Sequence, residues 1–124
     1  MGFKSCTCCR QIWENRLDFI LSSGISLHGY QPAFNKPESG LFLFNHDLKS
    51  CGTTLAIAVK KFSDIYNGPH YSSLEKGTER CSGKCLISID LDLCETKCSM
   101  AYVREIMKII LHLKSTENSI LHIK

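Results

Sequence analysis

The chain has 124 residues, enough for one domain with a modest core. Its hydrophobic fraction of 44% and charged fraction of 22% are ordinary for a globular protein, and a formal charge of +3 without a clustered basic face argues against nucleic-acid binding. No apolar run approaches the roughly 18 residues of a membrane-spanning helix, the start MGFKSCTCC has no export-signal core, and Gly2 lacks the Ser or Thr that a myristoylation signal prefers. The expectation is a single soluble cytoplasmic domain over 1–124, ordered from 6 to 113, with a frayed tail at 114–124.

In chain order, a short polar stretch carries the first cysteines. Ile12, Trp13, Leu17, Ile20 and Leu21 then recur at spacings of three and four, which predicts an amphipathic helix over 10–21, ended by Ser22-Ser23-Gly24. Residues 25–31 read as a short strand. Pro32, Asn35, Pro37 and Gly40 mark a loop. Two nearly continuous apolar runs follow, predicted as antiparallel strands over 41–46 and 53–59, with their middles buried on both faces. Phe62, Ile65 and Tyr66 suggest a short helix over 60–66, stopped by Asn67-Gly68-Pro69. Residues 70–80 read as a surface loop. Ile87, Ile89, Leu91 and Leu93 alternate with polar residues, a strand period that a tight loop between cysteines could also hold. Val103, Ile106, Met107, Ile109, Ile110 and Leu113 stripe a helix over 100–113. The expected fold class is α+β: a three-stranded antiparallel sheet flanked by two helices, with a cysteine-rich loop before the last.

Eight cysteines dominate the chemistry: Cys6, Cys8, Cys9, Cys51, Cys81, Cys85, Cys94 and Cys98. Without an export signal, grouped cysteines point to metal or redox work rather than structural disulfides. Cys6 and Cys9 make a CxxC, a spacing that lets one loop offer two thiolates to a tetrahedral ion. That is half a site. His46 and Cys51 supply the other half if the polar corner between the two apolar runs turns both inward, with Gly52 allowing the tight backbone of a knuckle. The competing reading makes Cys51 a core thiol and His46 a turn residue. Cys8 is a spare, exposed thiol.

The second group holds Cys81 and Cys85, then Cys94 and Cys98, as two CxxxC pairs. Three readings compete: a four-thiolate zinc or iron site, two disulfides, or an iron–sulfur cluster, although the spacing matches neither common ferredoxin pattern. Lys84 and Lys97 each adjoin a cysteine and would offset thiolate charge. The other histidines have plainer readings. His112 and His122 are surface residues, His70 is a loop residue, and His28 lies on the first strand. Trp13, Phe42 and Phe44 are core, Lys60-Lys61 is solvated, and Asp90 and Asp92 mark a solvated face. No GxSxG, phosphate loop or HExxH is present.

The order of several motifs resembles a small family of uncharacterised bacterial cysteine-rich proteins. The elements are Cys6–Cys9 with Trp13, Gly29-Tyr30-Gln31, the run GLFLFNH from Gly40 to His46, and CGTTLAI from Cys51 to Ile57. Tyr66-Asn67-Gly68-Pro69, Gly77-Thr78, and Cys94 to Cys98 leading into AYVREI complete it. The resemblance spans roughly residues 6–111 and implies a cysteine-rich soluble bacterial protein, with no activity to carry over. Two departures stand out. Met100 occupies a position where the family pattern has a further cysteine, and Ser82 and Glu95 stand where it tends to have proline.

The leading functional expectation is a metal-stabilised, zinc-holding binding or regulatory module, with no membrane or nucleic acid, room for a protein partner that the sequence does not name, and no small-molecule substrate identified. One alternative is a redox or metal sensor using the C-terminal cysteines. Another is a thiol-dependent enzyme using Cys51 and His46.

Overall fold

A computed structural model of the chain describes residues 2–48 and 51–123, with the side chains of residue 48 and of residues 116–123 left aside. The predicted turn residues Lys49 and Ser50, and the side chain of His122, lie outside the described part. The fold is α+β, as expected. Strand β1 (Lys4–Ser5) pairs with β2 (Ile12–Trp13) in a small antiparallel hairpin. Helix α1 (Arg16–Leu21) follows. Strands β3 (Ile25–Gln31), β4 (Leu41–Leu48) and β5 (Cys51–Ala58) form an antiparallel sheet in that order. Helix α2 (Ala101–Ile123) closes the chain.

The predicted helix over 10–21 begins only at Arg16. Ile12 and Trp13 are taken by the hairpin, where Trp13 pairs with Lys4 and is buried while Ile12 is exposed. Asn15 then starts the helix, its side chain accepting a hydrogen bond from the Asp18 amide at 2.9 Å, which satisfies one free amide of the first turn. Helix α2 runs past the predicted limit of 113 to Ile123. The predicted helix over 60–66 is two short 3-10 turns, Val59–Lys61 and Ser63–Ile65. Residues 87–93 form no strand; they lie in a loop whose one regular turn is Lys84–Leu86.

The two apolar runs are not buried on both faces. Phe42, Phe44 and His46 are buried while Leu41, Leu43 and Asn45 are half-exposed, and Cys51, Leu55 and Ile57 alternate with Gly52, Thr54 and Ala56 in the same way. Register explains this. Phe42 faces Ile57, Phe44 faces Leu55 and His46 faces Thr53, so opposed residues share one side of the sheet. Onto that face pack Phe19 and Ile20 of α1 and Val103, Ile106, Met107 and Ile110 of α2, all within one continuous core. Phe19 meets Phe44 and Trp13 edge-on, with ring centres 4.9 and 5.1 Å apart. Each aromatic buried this fully contributes about 1.5–3 kcal/mol. The core therefore fixes which side of β4 and β5 faces inward, and with it the direction of His46 and Cys51.

Candidate metal centre

Cys6 and Cys9 sit on the connection between β1 and β2. The Arg10 amide donates to the Cys6 carbonyl and the Cys6 amide to the Gln11 carbonyl, both at 2.8 Å. Closing so tight a turn puts Arg10 in the left-handed region, at φ 65°. The amides of Cys9 and Cys8 point at the Cys6 sulfur, the arrangement of a thiolate knuckle. The tight backbone expected at Gly52 lies here instead, because Gly52 continues β5 without a positive φ.

His46 and Cys51 do not occupy a polar corner. The ladder continues to Leu48 opposite Cys51, so both ligands are strand residues. His46 faces Thr53, and Cys51 lies two residues from Thr53 on the same side. The four intervening residues thus place two side chains diagonally on the core face. His46 is fully buried and touches the Trp13 indole edge-on, ring centres 5.0 Å apart.

The β1–β2 connection rests over this end of the sheet and completes a quartet. One donor atom from each of Cys6, Cys9, His46 and Cys51 lies within 4.8 Å of every other. The Cys6 and Cys51 sulfurs are 3.6 Å apart, and Cys9 Sγ is 3.9 Å from His46 Nδ1. A tetrahedral zinc ion with bonds of about 2.3 Å to sulfur and 2.0–2.1 Å to nitrogen needs sulfur–sulfur gaps near ~3.8 Å and sulfur–nitrogen gaps near ~3.6 Å. The quartet fits. His46 Nε2 is buried without a hydrogen-bond partner among the described residues, so Nδ1 is the nitrogen turned toward the sulfurs.

Electrostatics divide the thiols. The Cys9 amide, opposed by burial and helped by His46, lowers the Cys6 pKa to about 6. At Cys51 the Thr53 amide favours the thiolate. Burial and the neighbouring Cys8 and Cys6 thiols outweigh it and push the pKa up to about 11. Of this pair, the thiolate is favoured on Cys6 and disfavoured on Cys51. Cys8 is exposed and stands outside the quartet, as expected.

The other four cysteines are elsewhere. Cys81, Cys85, Cys94 and Cys98 line one cavity with about 30 Å³ of free volume. The cavity lies toward the opposite end of β3 from the quartet. Ile25 of β3 pairs with His46, whereas the Tyr30 amide donates to the Ser88 carbonyl of the cysteine-rich loop at 2.8 Å. The eight cysteines therefore serve two separate places. All are free thiols, and these four stand less tightly together than the quartet. Burial pushes the Cys85 pKa up, while the adjacent Arg104 guanidinium pulls it down.

Asp90 is not on a solvated face. Its side chain accepts from the Asp92 amide at 3.0 Å and lies 3.6 Å from Arg104 Nη1. His28 is exposed at the bulge that shifts β3 against β4, and His112 is exposed on α2. His70 rests against Tyr102, ring centres 4.5 Å apart. The residue that the sequence reading missed is Arg104. It follows Met100 by four and precedes Met107 by three, so the apolar period of α2 already placed it on the inward stripe. A charged residue on such a stripe was the available signal.

No family model matches the chain, and neither a curated protein nor a solved structure does. Among the described residues no helix is long and apolar enough to cross a membrane.

Proposed function

We propose that the chain is a zinc-stabilised binding or regulatory module whose ion is held by Cys6, Cys9, His46 and Cys51. The observation that carries this reading is the convergence of four zinc-type donors within 4.8 Å, although Cys6 and Cys51 are 45 residues apart in sequence. All four tetrahedral positions are protein side chains. No position remains for a substrate or an activated water, the arrangement of a structural site. Three soft thiolates and an imidazole suit zinc among the available divalent ions. The ion would tie the β1–β2 hairpin to the end of the main sheet, in the role that a disulfide plays in an exported domain.

A thiol enzyme built on Cys51 and His46 finds no support in this geometry. Cys51 is buried and its thiol is held protonated at neutral pH, whereas a nucleophile needs an accessible thiolate. The test of the zinc reading is metal analysis of protein purified under reducing conditions, beside the Cys6→Ser/Cys51→Ser variant. The wild type should carry one more zinc ion per chain than the variant. Equal zinc content in the two would overturn the reading.

A further inference from the structure

Arg104 is the largest fully buried side chain among the described residues. Its Nη1 donates to the carbonyls of Asp90 at 2.7 Å and Asp92 at 3.0 Å. Its Nε and Nη2 are buried with no partner among the described residues. A guanidinium cannot shed its charge, and leaving its donors unmade in the interior is costly. The same side chain lines the cavity ringed by Cys81, Cys85, Cys94 and Cys98. Asp90 lies near both Arg104 and Lys84, 3.6 and 4.0 Å away, and the carboxylate that lines the cavity, Glu75, is paired with Arg80, while Lys76, Lys84 and Arg104 all line it. Positive charge is in excess at this cavity.

Cys98 is already arranged as a ligand. Its sulfur accepts the Glu75 amide at 3.3 Å and the Met100 amide at 3.5 Å, the backbone contacts that orient a metal-ligating sulfur. The two CxxxC pairs approach from separate turns. Gly83, at φ 81°, opens the turn that carries Cys85. About 30 Å³ is room for one ion or one water molecule and little more.

We propose that Cys81, Cys85, Cys94 and Cys98 form a second, four-thiolate zinc site, with Arg104 as its buried counter-cation. Four thiolates around a divalent ion carry a net double negative charge. Arg104 and Lys84 offset it, and sulfur gives the two unmade guanidinium donors an acceptor. Disulfides at the same positions would be neutral and would leave Arg104 with Asp90 as its one ion-pair partner among the described residues and its Nε and Nη2 donors unmade. Binding replaces four S–H bonds with four S–metal bonds and releases the protons to solvent, with no electron transferred. Unlike the first quartet, these four sulfurs do not all lie within 4.8 Å of one another, so holding one ion requires them to draw together around the cavity. This site does not depend on the one proposed above.

The experiment uses the full chain, purified under reducing conditions with zinc and separately with Co(II). Wild type should bind two ions per chain, and the Cys6→Ser/Cys51→Ser and Cys81→Ser/Cys94→Ser variants one each. The cobalt spectrum of the first variant should be that of four sulfur donors. Arg104→Met should weaken binding of the second ion by about 10–100-fold. Arg104→Lys should recover part of that loss, and neither should change binding at the first site. If a double variant does not fold, the wild-type count and spectrum decide. A single ion with three-sulfur, one-nitrogen character overturns this proposal. A single ion with four-sulfur character upholds it and overturns the first site. Recovery of these cysteines as disulfides from reduced preparations, with two hydrogens lost per pair, also overturns it.

Discussion

Removing the cross-link between the hairpin and the sheet is the most direct perturbation of the first site, and His46→Gln/Cys51→Ser does it by taking away both donors that the sheet supplies. A cross-link across 45 residues of chain lowers the entropy of the unfolded state. The chain-entropy relation for such a loop gives about 4 kcal/mol at 25 °C, whether the closure is a disulfide or an ion held from both ends. Ordinary domains have only about 5–15 kcal/mol in total. For a chain of this size a loss of that order lowers the melting temperature by roughly 12–20 °C. The two substitutions also disturb buried positions, and this local cost must be separated. Circular-dichroism melts of zinc-loaded and chelator-treated protein, wild type and variant, form a cycle that does so. The expectation is a gap between the loaded proteins larger by about 4 kcal/mol than the gap between the stripped ones, which is the local cost of the two altered buried groups alone. A loaded variant that melts with the loaded wild type would refute the reasoning, because the ion would then not be closing that loop.

Three further outcomes follow from particular contacts. In metal-free protein the Cys6 pKa is depressed, so its contribution to stability is fully present above the unfolded value near 9 and is lost as pH falls through about 6. Relative to Cys6→Ser, wild-type stability should therefore rise between pH 6 and 9, which urea titrations of chelated protein at several pH values will show. Arg10→Gly should raise stability by up to about 1 kcal/mol, measured by urea unfolding, since glycine takes the left-handed conformation without the steric cost of a side chain. Gly29→Ala should cost about 1–3 kcal/mol, because the new Cβ would sit 2.9 Å from the Ser88 carbonyl oxygen and lever the cysteine-rich loop from β3. Its signature is faster hydrogen exchange at the Tyr30 amide, which donates to that same carbonyl.

Local pattern carried a good part of this protein. The period of residues 25–31 places β3 at its observed bounds, and the stripe through Val103, Ile106 and Met107 marks the start of α2. The CxxC at Cys6 and Cys9, with Cys51 and His46 as partners, was also readable, because ligand chemistry restricts which residue types can join a half-site. The side chains that surround these features were not readable, since local spacing does not say what packs against what. Ile12 and Trp13 carry a helical spacing, yet pairing with Lys4 and Ser5 claims them for a strand. The apolar runs of β4 and β5 suggested two buried faces, and the sheet, covered on one side by α1 and α2, buries only one.

The sequence by itself therefore determined the donor set and the spacing of its halves, which covalent geometry and residue chemistry impose on any fold. Tertiary structure alone decided three things. The register of β4 on β5 turned His46 and Cys51 to the same face, and the packing of the hairpin brought Cys6 and Cys9 onto them. Opposite ends of β3 received the two cysteine groups, so they make two places rather than one. Burial of α2 drew Arg104 to the cavity of the second group. Each depends on contacts between residues far apart in the chain, whose free energy no local window contains.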